Sequence, residues 1–238
     1  MRRVVLLIAI LLFGSYFLIA QVKEDILKKH LNAIGGAKNW NNVKTIRSVG
    51  LRESDGSIIE EKKQIIVNKA IRIDYTYQSR DKALNDKKFF IIVNGNQGWK
   101  YLPDNLKDSI ETMTSGEIAY YKNEHFTLSP FLPKENMQPR IEYISKEDVM
   151  NTPCFKFSVN HTTGKTEFIY IDTKTYLIRK SISITSASEV EFDYEEYKQV
   201  NQKITIPYKI TSTADVFQMT QFEVNQPLNE QLFIPSMK

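Results

Sequence analysis

The sequence predicts a mainly β fold (α+β): a partly open antiparallel β-barrel of about eleven strands, with an N-terminal helix, a helical insert and leftover apolar cavity. Three observations predict it. First, apolar and polar residues alternate with period two over most of the chain, as in Glu189-Val190-Glu191-Phe192-Asp193-Tyr194-Glu195. Such alternation, with one wet face, is the pattern of an antiparallel sheet. Second, groups of turn-forming residues separate the alternating runs. Third, only two segments carry helical patterns, and they are small beside the aromatic surface on offer. A sheet this long must hide its dry face by rolling up or by wrapping around helices, so a partly open barrel with leftover apolar cavity follows.

In chain order, residues 1–20 differ from the rest. Arg2 and Arg3 precede an uncharged run over 4–20, with Ala20 before Gln21 as the natural cut of a secretory signal. Leu18 stands where a small residue is preferred, and the apolar run is long for a signal. A retained membrane anchor is the alternative, although about 17 residues is at the short end for a span. Val22, Ile26, Leu27, Leu31 and Ile34 then recur at helical spacing, with Lys23, Glu24, Lys28 and Lys29 on the other side. Gly35-Gly36 supplies a left-handed stop.

Strand patterns follow at Ile71, Ile73, Tyr75 and Tyr77; at Phe155, Phe157 and Val159; and at Ile204, Ile206, Tyr208 and Ile210. Ser54-Asp55-Gly56, Asn94-Gly95-Asn96, Thr162-Thr163-Gly164 and Asp172-Thr173-Lys174 are the connecting turns. Pro207, inside a strand pattern, predicts an edge or a bulge. Thr114-Ser115-Gly116-Glu117 has the spacing of a capping box ahead of a short helix. A long apolar loop carrying Phe126, Leu128, Phe131 and Leu132 follows, broken by two prolines. No repeat, low-complexity segment or domain boundary is visible, so 21–238 is read as a single domain.

Composition narrows the function. The chain has 32 basic and 28 acidic residues, and without Arg2 and Arg3 the balance is 30 against 28. That gives no long-range attraction for nucleic acid, and no basic cluster with interleaved aromatics occurs. Cys154 is the only cysteine, which leaves no intramolecular disulfide, no thiol metal site and no N-terminal cysteine for lipid attachment. It reads as a small, partly buried strand residue.

Candidates for catalysis are thin. His30 lies near the apolar edge of the first helix and reads as a half-buried packing residue rather than a ligand. His161 lies in a turn and reads as exposed. His125, beside Glu124 in the insert, is a candidate pH-sensitive latch. No HExxH, GxSxG, P-loop or GxGxxG motif is present. A non-enzyme without metal or cofactor is therefore expected, with a pair of carboxylates from separate strands as the hydrolase alternative. What remains is the aromatic stock. Trp99, Tyr101, Phe157 and Phe192 are the candidate lining of an apolar cavity.

The ordered set of segments resembles a known superfamily. Val93-Asn94-Gly95-Asn96-Gln97-Gly98-Trp99-Lys100-Tyr101-Leu102-Pro103 resembles the characteristic hairpin of the outer-membrane lipoprotein carriers (LolA/LolB-like). Residues 26–36 resemble the N-terminal helix of the envelope proteins called lipoprotein-sorting proteins, and 170–180 their "iD..t..i.k" hairpin. Ile204-Thr205-Ile206-Pro207 and the segments Asn225-Gln226-Pro227-Leu228 and Leu232-Phe233-Ile234-Pro235 resemble their closing strands.

The resemblance implies an unclosed barrel with helices as a lid over a hydrophobic cavity that holds acyl chains, with Tyr120, Tyr121, Phe126 and Phe131 of the insert as candidate lid residues. It implies a periplasmic, monomeric binder of an acylated ligand, lipoprotein or lipid, that hands its cargo to an inner- or outer-membrane partner. It also implies a strand arginine that holds the lid, for which Arg52 and Arg72 are both candidates. The superfamily includes sensor domains as well. An envelope sensor or structural domain, tethered by an uncleaved anchor in the inner membrane and facing the periplasm, is the alternative function.

Overall fold

The computed structural model describes residues 21–78, 88–101, 109–125, 131–132, 139–161, 164–201 and 203–236. Residues 1–20, Phe126, Leu128, Thr162 and Thr163 lie outside them, so the expectations placed there are not addressed by the structure. Among the described residues the helices are α1 (21–33), α2 (Ala37–Asn41) and α3 (Ser115–His125). None of them is long and apolar enough to cross a membrane.

The strands are β1 (Thr45–Ser54), β2 (Ser57–Ile66), β3 (Ala70–Gln78), β4 (Lys88–Asn94), β5 (Gln97–Tyr101), β6 (Glu111–Thr112), β7 (Arg140–Val149), β8 (Thr152–Asn160), β9 (Thr166–Asp172), β10 (Ile178–Ile184), β11 (Glu189–Val200), β12 (Ile204–Ser212) and β13 (Val216–Val224). They form one mainly antiparallel sheet in the order β6-β5-β4-β3-β2-β1-β13-β12-β11-β10-β9-β8-β7, which does not close into a barrel. The expected count of about eleven falls short of thirteen. β6 is one reason: a two-residue pairing with Trp99 and Lys100 is too short to show any alternation.

The chain divides into two compact units, 1–36 with 133–191, and 37–132 with 192–238. In the first, Ile26, His30 and Ile34 are buried at a spacing of four along α1, and Gly35 and Gly36 end it with φ of 110° and 86°. His30 is only 1 % exposed, and its Nδ1 lies 2.8 Å from the Tyr176 carbonyl. Tyr176 is held in a left-handed turn (φ 58°), in which the Asp172 carboxylate accepts from the amides of Lys174 and Thr175. The Tyr176 ring stacks on Phe155 at 6.1 Å. The same strand face carries Phe157 and Val159 on β8 and Ile169 and Ile171 on β9, all buried.

Cys154 is fully buried rather than partly, and burial pushes its thiol up to about 11, so it is inert at neutral pH. His161, expected to be exposed, instead pairs with Glu167 at 2.7 Å across the β8–β9 connection, which half-buries its ring.

In the second unit the β1–β2 hairpin turns through Asp55 (φ 48°) and Gly56 (φ 74°), the backbone that a two-residue turn requires. Pro207 lies past the end of the β12–β13 pairing, which covers Lys209 to Thr211, and next to an irregularity of β11 at Glu196 (φ 51°). Its lack of an N–H costs no ladder bond to β13 there. The expected closing strands end at Val224. Beyond it, Asn229 caps a 3-10 turn, Glu230–Phe233, by accepting from the Gln231 amide at 3.0 Å. The Asn side chain and the short apolar pair Leu232-Phe233 favour a capped turn over another strand.

Candidate ligand-binding face

β1 to β5 present two faces, and the register sorts their residues. Gly98 and Lys100 on β5 share a face with Val93 and Ile91 on β4, and with Ile71, Ile73 and Tyr75 on β3. The same face continues to Ile65, Lys63 and Glu61 on β2 and to Ile46, Ser48 and Gly50 on β1. Ile46, Ile65, Ile71, Ile73, Ile91 and Val93 are buried and make an apolar floor. Toward the other end of the strands the floor gives way to the half-buried Tyr75, Tyr77 and Phe89, whose rings touch: Phe89 lies 4.7 Å from Tyr77 and 6.1 Å from Tyr75.

Helix α3 covers this face. The predicted capping box forms: the Glu117 amide donates to Thr114 Oγ1 at 3.3 Å, while Glu117 Oε2 accepts from the Thr114 amide at 2.8 Å. At this first turn Ile118 sits on Gly98, because a Cβ there would stand 2.8 Å from Ile118 Cγ1 and 2.8 Å from Met113 Sδ. Lys100 Nζ reaches Glu117 Oε1 at 2.6 Å, and Lys122 Nζ reaches Asn96 Oδ1 at 3.2 Å. The last turn brings His125, stacked on Tyr121 at 5.8 Å, into the field of Lys63 and Glu61 on β2. Ile118 is the only residue of α3 that is buried.

The floor carries charge where the helix ends. Glu61 is 5 % exposed and is paired with Lys63 at 3.1 Å and Arg52 at 3.2 Å. Burial works to raise the Glu61 carboxyl, but Lys63 and then Arg52 outweigh it and hold it below the ordinary carboxylate range. Arg52 also binds Asp215 at 2.7 Å and lies over the Phe217 ring at 5.2 Å. That ring covers Gly50, where any Cβ would collide with it. Burial lowers His125 to about 3, with Lys63 adding to the effect and Glu61 opposing it, so the imidazole is neutral at pH 7. Burial also raises the Tyr75 and Tyr121 hydroxyls, which stay protonated.

Of the sequence-predicted lining residues, Phe192 shares this face, and Trp99 and Tyr101 do not. Trp99 and Tyr101 alternate with Gly98 and Lys100 and so lie on the opposite face. There Trp99 packs with Phe90, Ile66, Leu228 and Leu232 around Ala70, Ile92 and Phe233, and Tyr101 stacks on Phe90 at 5.6 Å. Phe157 belongs to the first unit, where it is fully buried and 5.6 Å from Tyr143. Phe192, half-buried on β11, shares its face with Tyr194, and the register carries that face through Ile210 and Phe217 to Arg52.

Of the lid candidates, Tyr120 is 59 % exposed, Tyr121 turns toward Tyr75, and Phe131 is buried. Arg72 donates to Asp74 and to the Leu232 carbonyl at 2.9 Å, on the face away from α3. Among the described contacts neither arginine binds α3, and Lys100 does. The Arg52–Glu61–Lys63 set was missed by sequence reasoning. β2 reads Ile58-Ile59-Glu60-Glu61-Lys62-Lys63-Gln64-Ile65-Ile66, with the same apolar and charged types at both parities, so alternation does not say which charges turn inward.

Comparison with known proteins agrees with this architecture. No protein-family model matches the chain, and no curated protein matches its sequence. Solved structures do match. A DUF1329 family protein from Desulfovibrio piger superposes with a TM-score of 0.58 at 10% identity, covering 89% of this chain and 96% of the other. A proposed outer membrane lipoprotein-sorting protein domain from Vibrio parahaemolyticus gives 0.56 at 12% identity, covering 88% and 94%. A LolA superfamily protein from Nitrosomonas europaea gives 0.55 at 10% identity, covering 89% and 97%. The chain therefore has a LolA-like fold. At these identities the likeness is one of fold and says nothing of shared residues.

Proposed function

We propose that the protein is an exported, non-enzymatic binder of acyl chains in the periplasm, a carrier of lipoprotein or lipid that gives up its cargo to a membrane partner. One observation carries this reading. An eleven-residue helix lies over a floor of isoleucine and valine, yet Ile118 is its only fully buried residue, and polar contacts to Lys100 and Asn96 help to hold it. A cover held so lightly over so apolar a surface suits a site that must open to admit a hydrocarbon. Burial of that hydrocarbon would drive binding by about 0.8 kcal/mol per methylene. The LolA-like fold, and the lipoprotein sorting proposed for one of the proteins that share it, support the same reading.

Catalysis is not favoured. The buried Glu61 and the half-buried Glu167 carboxyls are both held below their ordinary range, whereas a general acid needs to be held above it. Among the described residues no three histidine, cysteine, aspartate or glutamate side chains are placed to hold a metal.

Native mass spectrometry of the protein recovered from a bacterial envelope without detergent tests the reading. The expected result is a bound lipid or acylated peptide that is lost in a Tyr75→Asp variant of unchanged fold. A bare protein mass that takes up neither added lipids nor lipopeptides would sink the carrier reading and favour the tethered structural or sensor alternative. In that case the N-terminal segment would also be found uncleaved.

A further inference from the structure

The α3 face holds more hydrogen-bonding capacity than the protein uses. Tyr75 stands directly opposite Glu61 in the β2–β3 register, one pair along from Lys63 and Ile73. Tyr121 descends from α3 into the field of Tyr75, and His125 into that of Lys63 and Glu61. Among the described residues the Tyr75 hydroxyl, the Tyr121 hydroxyl and the His125 ring make no hydrogen bond to another protein group. Lys63 spends one of its three N–H donors on Glu61. None of these polar atoms is both shut off from solvent and unpartnered, so the donors stand open to a ligand that can take them up together.

The chemistry of such a ligand follows from the donors. An ammonium can only donate, and both phenols, kept protonated, and the neutral imidazole can each donate one hydrogen. Both carboxylate oxygens of Glu61 are already occupied, one by Lys63 and one by Arg52, so the acid does not compete to bind a cationic head. An acceptor-rich, negatively charged group fits all four donors at once.

We propose that Lys63, Tyr75, Tyr121 and His125 form the head-group end of the site and select acyl ligands with an oxyanion head, carboxylate or phosphate, over neutral ones. The inference rests on the acyl-binding reading: the isoleucine floor takes the chain, and the polar set reads what the chain is attached to. Lys63 is the selecting residue because it alone brings a full charge with donors to spare. The tyrosines and the histidine set the orientation of the head.

The test is calorimetric titration of the exported protein, as processed by the cell, with lauric acid, lauryl phosphate and lauryl alcohol at neutral pH, each below its micellar concentration. Lauric acid or lauryl phosphate is expected to bind about tenfold tighter than the alcohol, as a charge-assisted hydrogen bond would provide. The tighter of the two identifies the head as a fatty carboxylate or a phospholipid-like phosphate. Lys63→Gln should bring all three ligands together while leaving the alcohol unchanged, and Lys63→Arg should retain the preference.

Tyr75→Phe supplies an independent arm should Lys63→Gln fail to fold, and is expected to remove part of the preference. Equal or weaker binding of the charged ligands by the unaltered protein, or a preference that survives both Lys63→Gln and Tyr75→Phe, overturns the inference while the acyl-binding reading stands. Failure of all three ligands to bind removes both.

Discussion

The two faces of the β2–β5 sheet are covered in opposite ways. On one, the four-residue turn Glu230–Phe233 drives Phe233 to 1 % exposure among Ala70, Ile92, Trp99 and Leu232. Its backbone is tied down as well, since the Leu232 carbonyl accepts from Arg72 at 2.9 Å and the Phe233 carbonyl from Asn94 at 3.5 Å. On the other, α3 is nearly three times as long, with eleven residues to four, and buries Ile118 alone. It is also held by the Lys100–Glu117 and Lys122–Asn96 contacts, with Tyr121 and His125 half-buried. Length is thus a poor guide to attachment. A turn with one deeply buried phenylalanine is a fixed part of the sheet, and a longer helix without an apolar stripe is a removable one.

The largest expected effect lies on the fixed side. Phe233→Ala should destabilise the protein by about 3–5 kcal/mol, the ordinary consequence of emptying a fully buried aromatic site. Ile118→Ala, which removes the one buried anchor of α3, should cost less in global stability because the helix can lift away rather than leave a cavity. Paired denaturant titrations measure both. If the two variants proved equal, or if Ile118→Ala were the worse, the contrast between fixed and removable covers would be wrong.

The contrast also shows what could be read from the sequence. The hairpins were legible because their turns need left-handed backbone, and Asp55-Gly56 and Gly95 supply it. The start of α3 was legible because a capping box is a local arrangement of Thr114 and Glu117. The packing role of His30 was legible from its place on the apolar edge of α1, although it is fully rather than half-buried.

Facing was not legible. Phe89-Phe90-Ile91-Ile92-Val93 is apolar at both parities, so alternation cannot tell which of Trp99 and Lys100 turns toward the helix. Aromatic character pointed to Trp99, yet the residue under α3 is Lys100, whose partner Glu117 lies 17 positions along the chain. The closing segment misled in a similar way. Leu232-Phe233-Ile234 looks like a strand until Asn229 is recognised as a cap. In both places the missing information is tertiary: which face a second element will choose to cover.

A smaller effect should come from Gly98, where the helix is seated. A side chain there meets Ile118 and Met113 at 2.8 Å, and Met113 can shift more readily than the sheet can. Gly98→Val should cost about 1–3 kcal/mol by overpacking. The damage should be confined to one face. Chymotrypsin should cut after Tyr120 or Tyr121 faster than in the unaltered protein, while fluorescence of Trp99 on the other face, read in a Trp40→Phe background, keeps its native spectrum. A changed Trp99 environment without faster cleavage would mean that the two faces are coupled and that α3 is no separable cover.

The smallest effect is electrostatic and bears on α3 alone. Hydrogen bonds from Lys100 and then from Thr114 hold the Glu117 carboxyl down to about 2, from an ordinary value of 4.5. A carboxylate depressed in the folded state stabilises that state above its unfolded value, and the contribution is lost as pH falls from 4.5 toward 2. His125 acts in the same direction at a higher pH. Burial keeps it neutral down to about 3, against an ordinary 6.5, so the attached state takes up fewer protons than the released one between those values. Acid should therefore loosen α3 in two stages, from pH 6.5 downward through His125 and from pH 4.5 downward through Glu117. Phe233 has no ionisable group of its own to respond with.

Backbone amide shifts followed by NMR as pH is lowered would show the α3 residues moving before those of the Glu230–Phe233 turn. His125→Phe should remove the first stage and Glu117→Gln the second. Because the Lys100–Glu117 pair is still partly open to solvent, added salt should mimic part of the Glu117 effect at neutral pH and none of the His125 effect. Simultaneous movement of both covers, or a first stage that persists in His125→Phe, would assign the acid response to the sheet itself rather than to the helix that lies on it.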